Sequence, residues 1–127
     1  TGSYEYIFSD SGAKISIRKT NSNIIQVILR SGGVFKSSIS TLAITDTDFH
    51  ELCVVYDSSL ALGSRCKIYI DSVITTTTDN TLSTIDDGVV GYSIGSRLGG
   101  GAEEFNGNIQ QLSIIDIPLT QVQITDL

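Results

Sequence analysis

The 127-residue sequence predicts an antiparallel β-sandwich, and three observations carry that expectation. The apolar residues are mostly Ile, Val and Leu set among many Thr and Ser, a composition suited to pleated, half-buried surfaces. Short apolar runs of period two recur between clusters of Ser, Gly, Asp and Asn. No long stretch carries a capped helical stripe. With 40% hydrophobic and 17% charged residues the chain is not a disordered one, and its length suits one core, so residues 1–127 are read as one domain.

The elements follow in order. Residues 4–8 are aromatic and apolar and run toward a turn at Ser11-Gly12. Lys14-Ile15-Ser16-Ile17-Arg18 alternates cleanly, so a strand over 14–19 has one face in the core and one in water. Asn21-Ser22-Asn23 turns the chain into a strand over 24–30, and Ser31-Gly32-Gly33 turns it again into 34–39. A strand over 49–56 ends at Asp57-Ser58-Ser59, and Lys67-Ile68-Tyr69-Ile70-Asp71 alternates within 66–71. A short strand over 73–77 contains most of the Thr run 75–78, where Thr suits an exposed strand face. Asp86-Asp87-Gly88 precedes the end of a strand over 89–94, and Gly99-Gly100-Gly101 precedes one over 107–115. After Pro118, Thr120 and Gln123 have capping-box spacing and predict a single helical turn.

Charge removes two function classes. At −6, with eight Lys and Arg spread along the chain, there is no basic stripe to displace the counterions of a nucleic acid or to meet an anionic membrane. No apolar run is long enough to span a bilayer. The first residues also lack the basic-then-apolar pattern of a signal peptide, so a mature form or an excised domain is expected.

From Phe49 onward the order of signals resembles the concanavalin A-like sandwich superfamily, in particular laminin G-like and pentraxin-like domains. The first block is Phe49-His50-Glu51-Leu52-Cys53-Val54-Val55-Tyr56-Asp57, and its hairpin partner ends Ile68-Tyr69-Ile70-Asp71-Ser72. Val90-Gly91-Tyr92-Ser93-Ile94-Gly95 follows. The last block is Phe105-Asn106-Gly107-Asn108-Ile109-Gln110-Gln111-Leu112 with a closing Leu119-Thr120. Phe49 and Ser72 depart from the family's usual Trp and Gly; Phe keeps an aromatic plug, while Ser makes a tight turn after Asp71 harder. The resemblance implies a jelly-roll sandwich with Phe49, Leu52, Val54, Tyr56, Ile68, Ile70, Ile94, Ile109 and Leu112 between its sheets.

Some relatives are glycoside hydrolases, which need two carboxylates straddling the scissile bond. Asp46 and Asp48 lie in a Thr-rich turn, and neighbouring Glu103 and Glu104 would face opposite ways on a strand, so no catalytic residue is assigned. His50 is read as a hydrogen-bonded, partly buried imidazole. No cofactor is required. The resemblance makes calcium on a loop rim an alternative, with Asp79, Asn80, Asp86 and Asp87 as oxygen ligands, against an ordinary Asp-Asp-Gly turn. On the family register Cys53 lies with Val55 and Cys66 with Ile68 and Ile70, on opposite faces, so two separate thiols are expected.

Two functions fit these residues. One is a non-catalytic, lectin-like module whose rim loops bind a glycan or a protein, with Asp57, Tyr92, Arg97, Glu103 and Asn106 as contact groups. The other is a structural or adhesive domain of a virion, phage fibre or surface assembly. Either implies an extracellular, cell-surface or virion setting. Similar domains carry a further strand or two before the region of residues 4–8, one of them beside the strand equivalent to 107–115. The expectation is therefore that strand addition from a second copy or a larger assembly fills that place, with residues 1–8 filling it as the alternative.

Overall fold

The structure, a computed structural model, describes residues 4–10, 14–78, 84–85, 91–98 and 103–127. Among these residues the strands are β1 (Glu5–Asp10), β2 (Ile15–Lys19), β3 (Ile24–Ser31), β4 (Val34–Ala43) and β5 (Leu52–Tyr56). They continue with β6 (Cys66–Ile70), β7 (Val73–Ile74), β8 (Thr76–Thr78) and β9 (Tyr92–Ile94), and a short helix, α1 (Gln121–Thr125), follows. A six-stranded sheet has the order β8-β4-β3-β2-β1-β9, and a three-stranded sheet the order β5-β6-β7, all antiparallel.

The alternation of the sequence becomes the core. Ile25, Val27 and Leu29 of β3 face Cys66, Ile68 and Ile70 of β6 across the gap between the sheets, and Ile15, Ile17, Leu52, Val54 and Tyr56 pack around them. Inward-facing residues of two sheets meeting in this way define a sandwich. After β7 the chain leaves the small sheet: Thr75 is buried, and the next three threonines add β8 to the edge of the large one. The Thr run is therefore a crossover between sheets as well as a strand end.

Two hairpins use the same turn with different chemistry. Gly32 and Gly33 both take positive φ (56° and 82°) between the paired Ser31 and Val34. Asp71 and Ser72 do the same (52° and 64°) between Ile70 and Val73. A two-residue turn of this hand matches strand twist but needs left-handed backbone at both central positions, which glycine enters without a Cβ clash. Asp71-Ser72 makes the turn without glycine, so contacts around it must hold it.

Four expectations fail. Phe49 is 69% exposed and lies before β5, which starts at Leu52, so no aromatic plug forms there. Ile94 is exposed because β9 is a three-residue edge strand with only β1 beside it. Residues 107–115 form no strand and pair with no described one, and Leu112 is exposed. Residues 4–8 do not fill that place: β1 pairs with β2 and β9 instead. The helical turn after Pro118 is present, with Thr120 capping it and Gln123 completing the box.

Candidate functional site

Among the described residues, the outer face of the small sheet carries a concavity. Val55 lies opposite Lys67 and Cys53 opposite Tyr69, all pointing away from the sandwich core because their neighbours along each strand point into it. Helix α1 covers part of this face, burying Ile124 against Val55 and Tyr69, with Cys53 and Leu119 alongside. The cover stops toward the Asp57 end. There a groove of about 310 Å³ opens, with Val55, Leu60, Pro118 and Leu119 as its apolar lining. Asp57, Arg65, Lys67, Thr120 and Gln121 complete its walls.

The polar groups of the groove are fixed by local bonds. The Asp57 amide donates to the Arg65 carbonyl (2.8 Å), which extends the β5–β6 pairing by one residue. Asp57 Oδ1 accepts from Ser59 Oγ (2.6 Å) and the Ser59 amide (2.9 Å). Those two bonds, then the charges of Lys67 and Arg65, hold the Asp57 carboxyl below the usual carboxylate range. Arg65 Nε donates to the Leu60 carbonyl (2.7 Å), pinning the guanidinium across its own loop. Gln121 Nε2 donates to the Ser72 carbonyl (2.8 Å), so the first residue of α1 is tied to the β6–β7 turn. Lys67 makes no ion pair with a described residue.

The residues expected to bind divide between two places. Tyr92, Arg97, Glu103 and Asn106 belong to the β9 end of the large sheet: Tyr92 packs on Phe8 (5.4 Å between rings), and the Phe105 amide donates to the Gly95 carbonyl (2.8 Å). Arg97 Nη1 and Glu103 Oε2 pair at 3.1 Å, so each is already engaged. Asp57 stands apart from them, on the small sheet. Asp79, Asn80, Asp86 and Asp87 lie outside the described residues. Among the described residues no group of three or more His, Cys, Asp or Glu is arranged to hold a metal.

His50 is bonded on both sides. Its Nδ1 lies 2.7 Å from Asp71 Oδ2 and its Nε2 2.7 Å from Asp46 Oδ1, while Asp71 Oδ1 accepts from the Glu51 amide (3.0 Å). The two carboxylates, Asp71 foremost, raise its pKa to about 9. At neutral pH it is an imidazolium with both N–H groups donating, and such a ring has no lone pair with which to take a proton. Cys66 is in the core and Cys53 lies on the opposite face beside α1, both as free thiols. Burial, then the charge of Glu51, pushes the Cys53 thiol up, away from the reactive thiolate.

A laminin G-type family model, described as the concanavalin A-like lectin/glucanases superfamily, matches residues 1–125. The chain belongs to that superfamily. No curated protein and no solved structure matches it. Membership of this lectin/glucanase superfamily supports a carbohydrate- or protein-binding module; its laminin G-like domains are generally non-catalytic, while the superfamily also contains glycosidases.

The motif position points to a hydrogen-bonded His50, but neither its partners Asp46 and Asp71 nor the cations of the groove were singled out. Arg65 and Lys67 flank core-facing Cys66, so strand alternation alone places both on the outer face. That signal was present. Which part of that face α1 leaves uncovered depends on helix docking, which no local pattern encodes.

Proposed function

We propose that the domain is a non-catalytic, lectin-like module that binds carbohydrate through the loops at one end of its sandwich. The observation that carries this reading is the groove beside Asp57, where apolar side chains and fixed polar groups converge in one concavity. Sugars present both a C–H face and a ring of hydroxyls, and the groove offers partners for each. The reading requires no catalytic pair: His50 is held as an imidazolium, and Glu103 is engaged by Arg97. An extracellular or surface setting accords with it. Calcium at Asp79, Asn80, Asp86 and Asp87 is a separable proposal. A glycan array read with and without calcium tests both: binding to no glycan removes the lectin reading, and binding unchanged by chelation removes the calcium one.

A second reading, an adhesive or assembly role, is favoured by one specific observation. Leu112, Ile114, Ile115 and Ile117 are all exposed within a segment that forms no strand. A row of strand-forming apolar residues in water invites pairing with a second copy. Light scattering that finds a monomer at high concentration removes it.

A further inference from the structure

We infer that Asn106 is a site of spontaneous modification: the Gly107 amide attacks its side chain, giving aspartate and isoaspartate as the chain ages. The carbohydrate reading above is not needed for it. The chain has five asparagines, Asn21, Asn23, Asn80, Asn106 and Asn108. The reaction needs the backbone nitrogen of the next residue to reach the asparagine Cγ, and a bulky side chain on that next residue obstructs the approach. Asn23 and Asn108 precede isoleucines, whose branched Cβ is stiff and stands beside that nitrogen. Asn21 precedes Ser22, whose amide already donates to Thr20 Oγ1 (3.2 Å). Asn80 lies outside the described residues. Asn106 alone precedes a glycine.

The fold requires that glycine and leaves it free to react. A Cβ at residue 107 would meet Phe105 Cε1 at 2.7 Å, so it is the ring of Phe105 that excludes a side chain there. Asn106 and Gly107 are exposed, belong to no strand or helix and make no hydrogen bond with a described residue. The nearest backbone bond before them runs from the Phe105 amide to the Gly95 carbonyl (2.8 Å). Turning the 106–107 peptide toward the Asn106 side chain therefore breaks no bond, and such local opening costs little. Nucleophile and target are joined by the chain itself, so their encounter costs little entropy. The step balances without an oxidant or a cofactor. Gly107 N bonds to Asn106 Cγ, the Cγ–Nδ2 bond breaks, and the amide proton ends on the departing ammonia. Water then opens the succinimide. Attack at Cγ restores the main chain with an aspartate, while attack at the main-chain carbonyl of residue 106 leaves the chain running through Cγ as isoaspartate. Either product adds one negative charge to a net −6, on a segment that already carries Glu103 and Glu104.

The test incubates the folded chain, and beside it a short peptide covering residues 104–109, in neutral and mildly alkaline buffer. Peptide mass spectrometry follows the exchange of NH2 for OH at each asparagine. The expected result is conversion of Asn106 in the folded chain at a rate within about threefold of the peptide's, because the fold adds little to the barrier. Asn21, Asn23 and Asn108 should react at least about tenfold more slowly. The rate should rise with pH, since the nucleophile is the deprotonated amide. Asn106→Gln, which must close a larger ring, should abolish the event, while Asn108→Gln leaves it unchanged. Thermal melts check that both variants keep the fold. A folded chain that stays intact while the peptide reacts would overturn the inference, because the fold would then shield the site. Conversion spread evenly over Asn21, Asn106 and Asn108 would overturn it as well.

Discussion

Strand β3 and the segment over residues 107–117 are alike in sequence and opposite in fate. Both are rich in Ile and Leu with polar residues interspersed, and each reads as a strand. β3 has β2 on one side and β4 on the other, and its Ile25, Val27 and Leu29 are buried against β6. The later segment pairs with no described strand, and Ile114 is 69% exposed. Apolar strand-forming residues thus supply the capacity for a strand but not its partners. A strand is a property of at least two segments, and burial follows the pairing.

The largest expected difference between these regions is in what truncation costs. Ile25→Ala empties a fully buried position in β3 and should destabilise by about 2–5 kcal/mol. Ile114→Ala removes surface already in water and should change stability by less than about 0.5 kcal/mol. Urea unfolding of both variants measures the contrast at low protein concentration. A cost at Ile114 that grows as the protein is concentrated would mean that a second copy covers the segment. Comparable costs at any concentration would break the comparison outright.

How much was legible follows the same division. The first four strands form consecutive hairpins, each pairing with a sequence neighbour across a recognisable turn, so local alternation was enough to find them. The opposed faces of Cys53 and Cys66 were legible too, because a period of two separates neighbours absolutely. The capping box at Thr120 is local and was found; the groove that its helix leaves open is tertiary and was not. Phe49 misled because a motif position was read as a packing position, whereas the loop carrying it is anchored through Asp46 and His50. Of the site residues, Asp57 was named for its place in a rim loop, while Lys67 hid inside an alternating strand pattern.

A smaller difference separates the two tight turns. Gly32-Gly33 adopts left-handed backbone freely, while Asp71-Ser72 does so against its own Cβ atoms. Ser72→Gly relieves about 1–2 kcal/mol of left-handed strain and loses about 0.4–1 kcal/mol to the greater unfolded-state entropy of glycine, so a net stabilisation of about 0.5–1 kcal/mol is expected. The long Ser72 Oγ contact to the Ile124 carbonyl (3.4 Å) is too weak to reverse the sign. Asp71→Gly should differ in sign, because it removes the carboxylate that holds His50 and the Glu51 amide. If both substitutions destabilise equally, backbone strain is not what distinguishes the turns.

The smallest effect is the pH dependence that the network around the Asp71 turn confers and the glycine turn lacks. His50 is raised from 6.5 to about 9, chiefly by Asp71 and then by Asp46. Its contribution to stability is complete below about pH 6.5 and disappears as pH rises toward about 9, because the folded state then loses a proton the unfolded state has already released. Asp46 and Asp71 are lowered from 3.8, first by their bonds to His50, so their contribution is complete above that value and disappears as acid protonates them. The two windows overlap between about pH 4 and 6.5, where the network contributes in full. Because its members are exposed to solvent, screening keeps the whole effect small. Urea midpoints at pH 6 and pH 9 should fall for the native chain and stay nearly level for His50→Gln. A fall of the same size in the variant would place the alkaline loss in other groups and leave the Asp71 turn held by backbone alone.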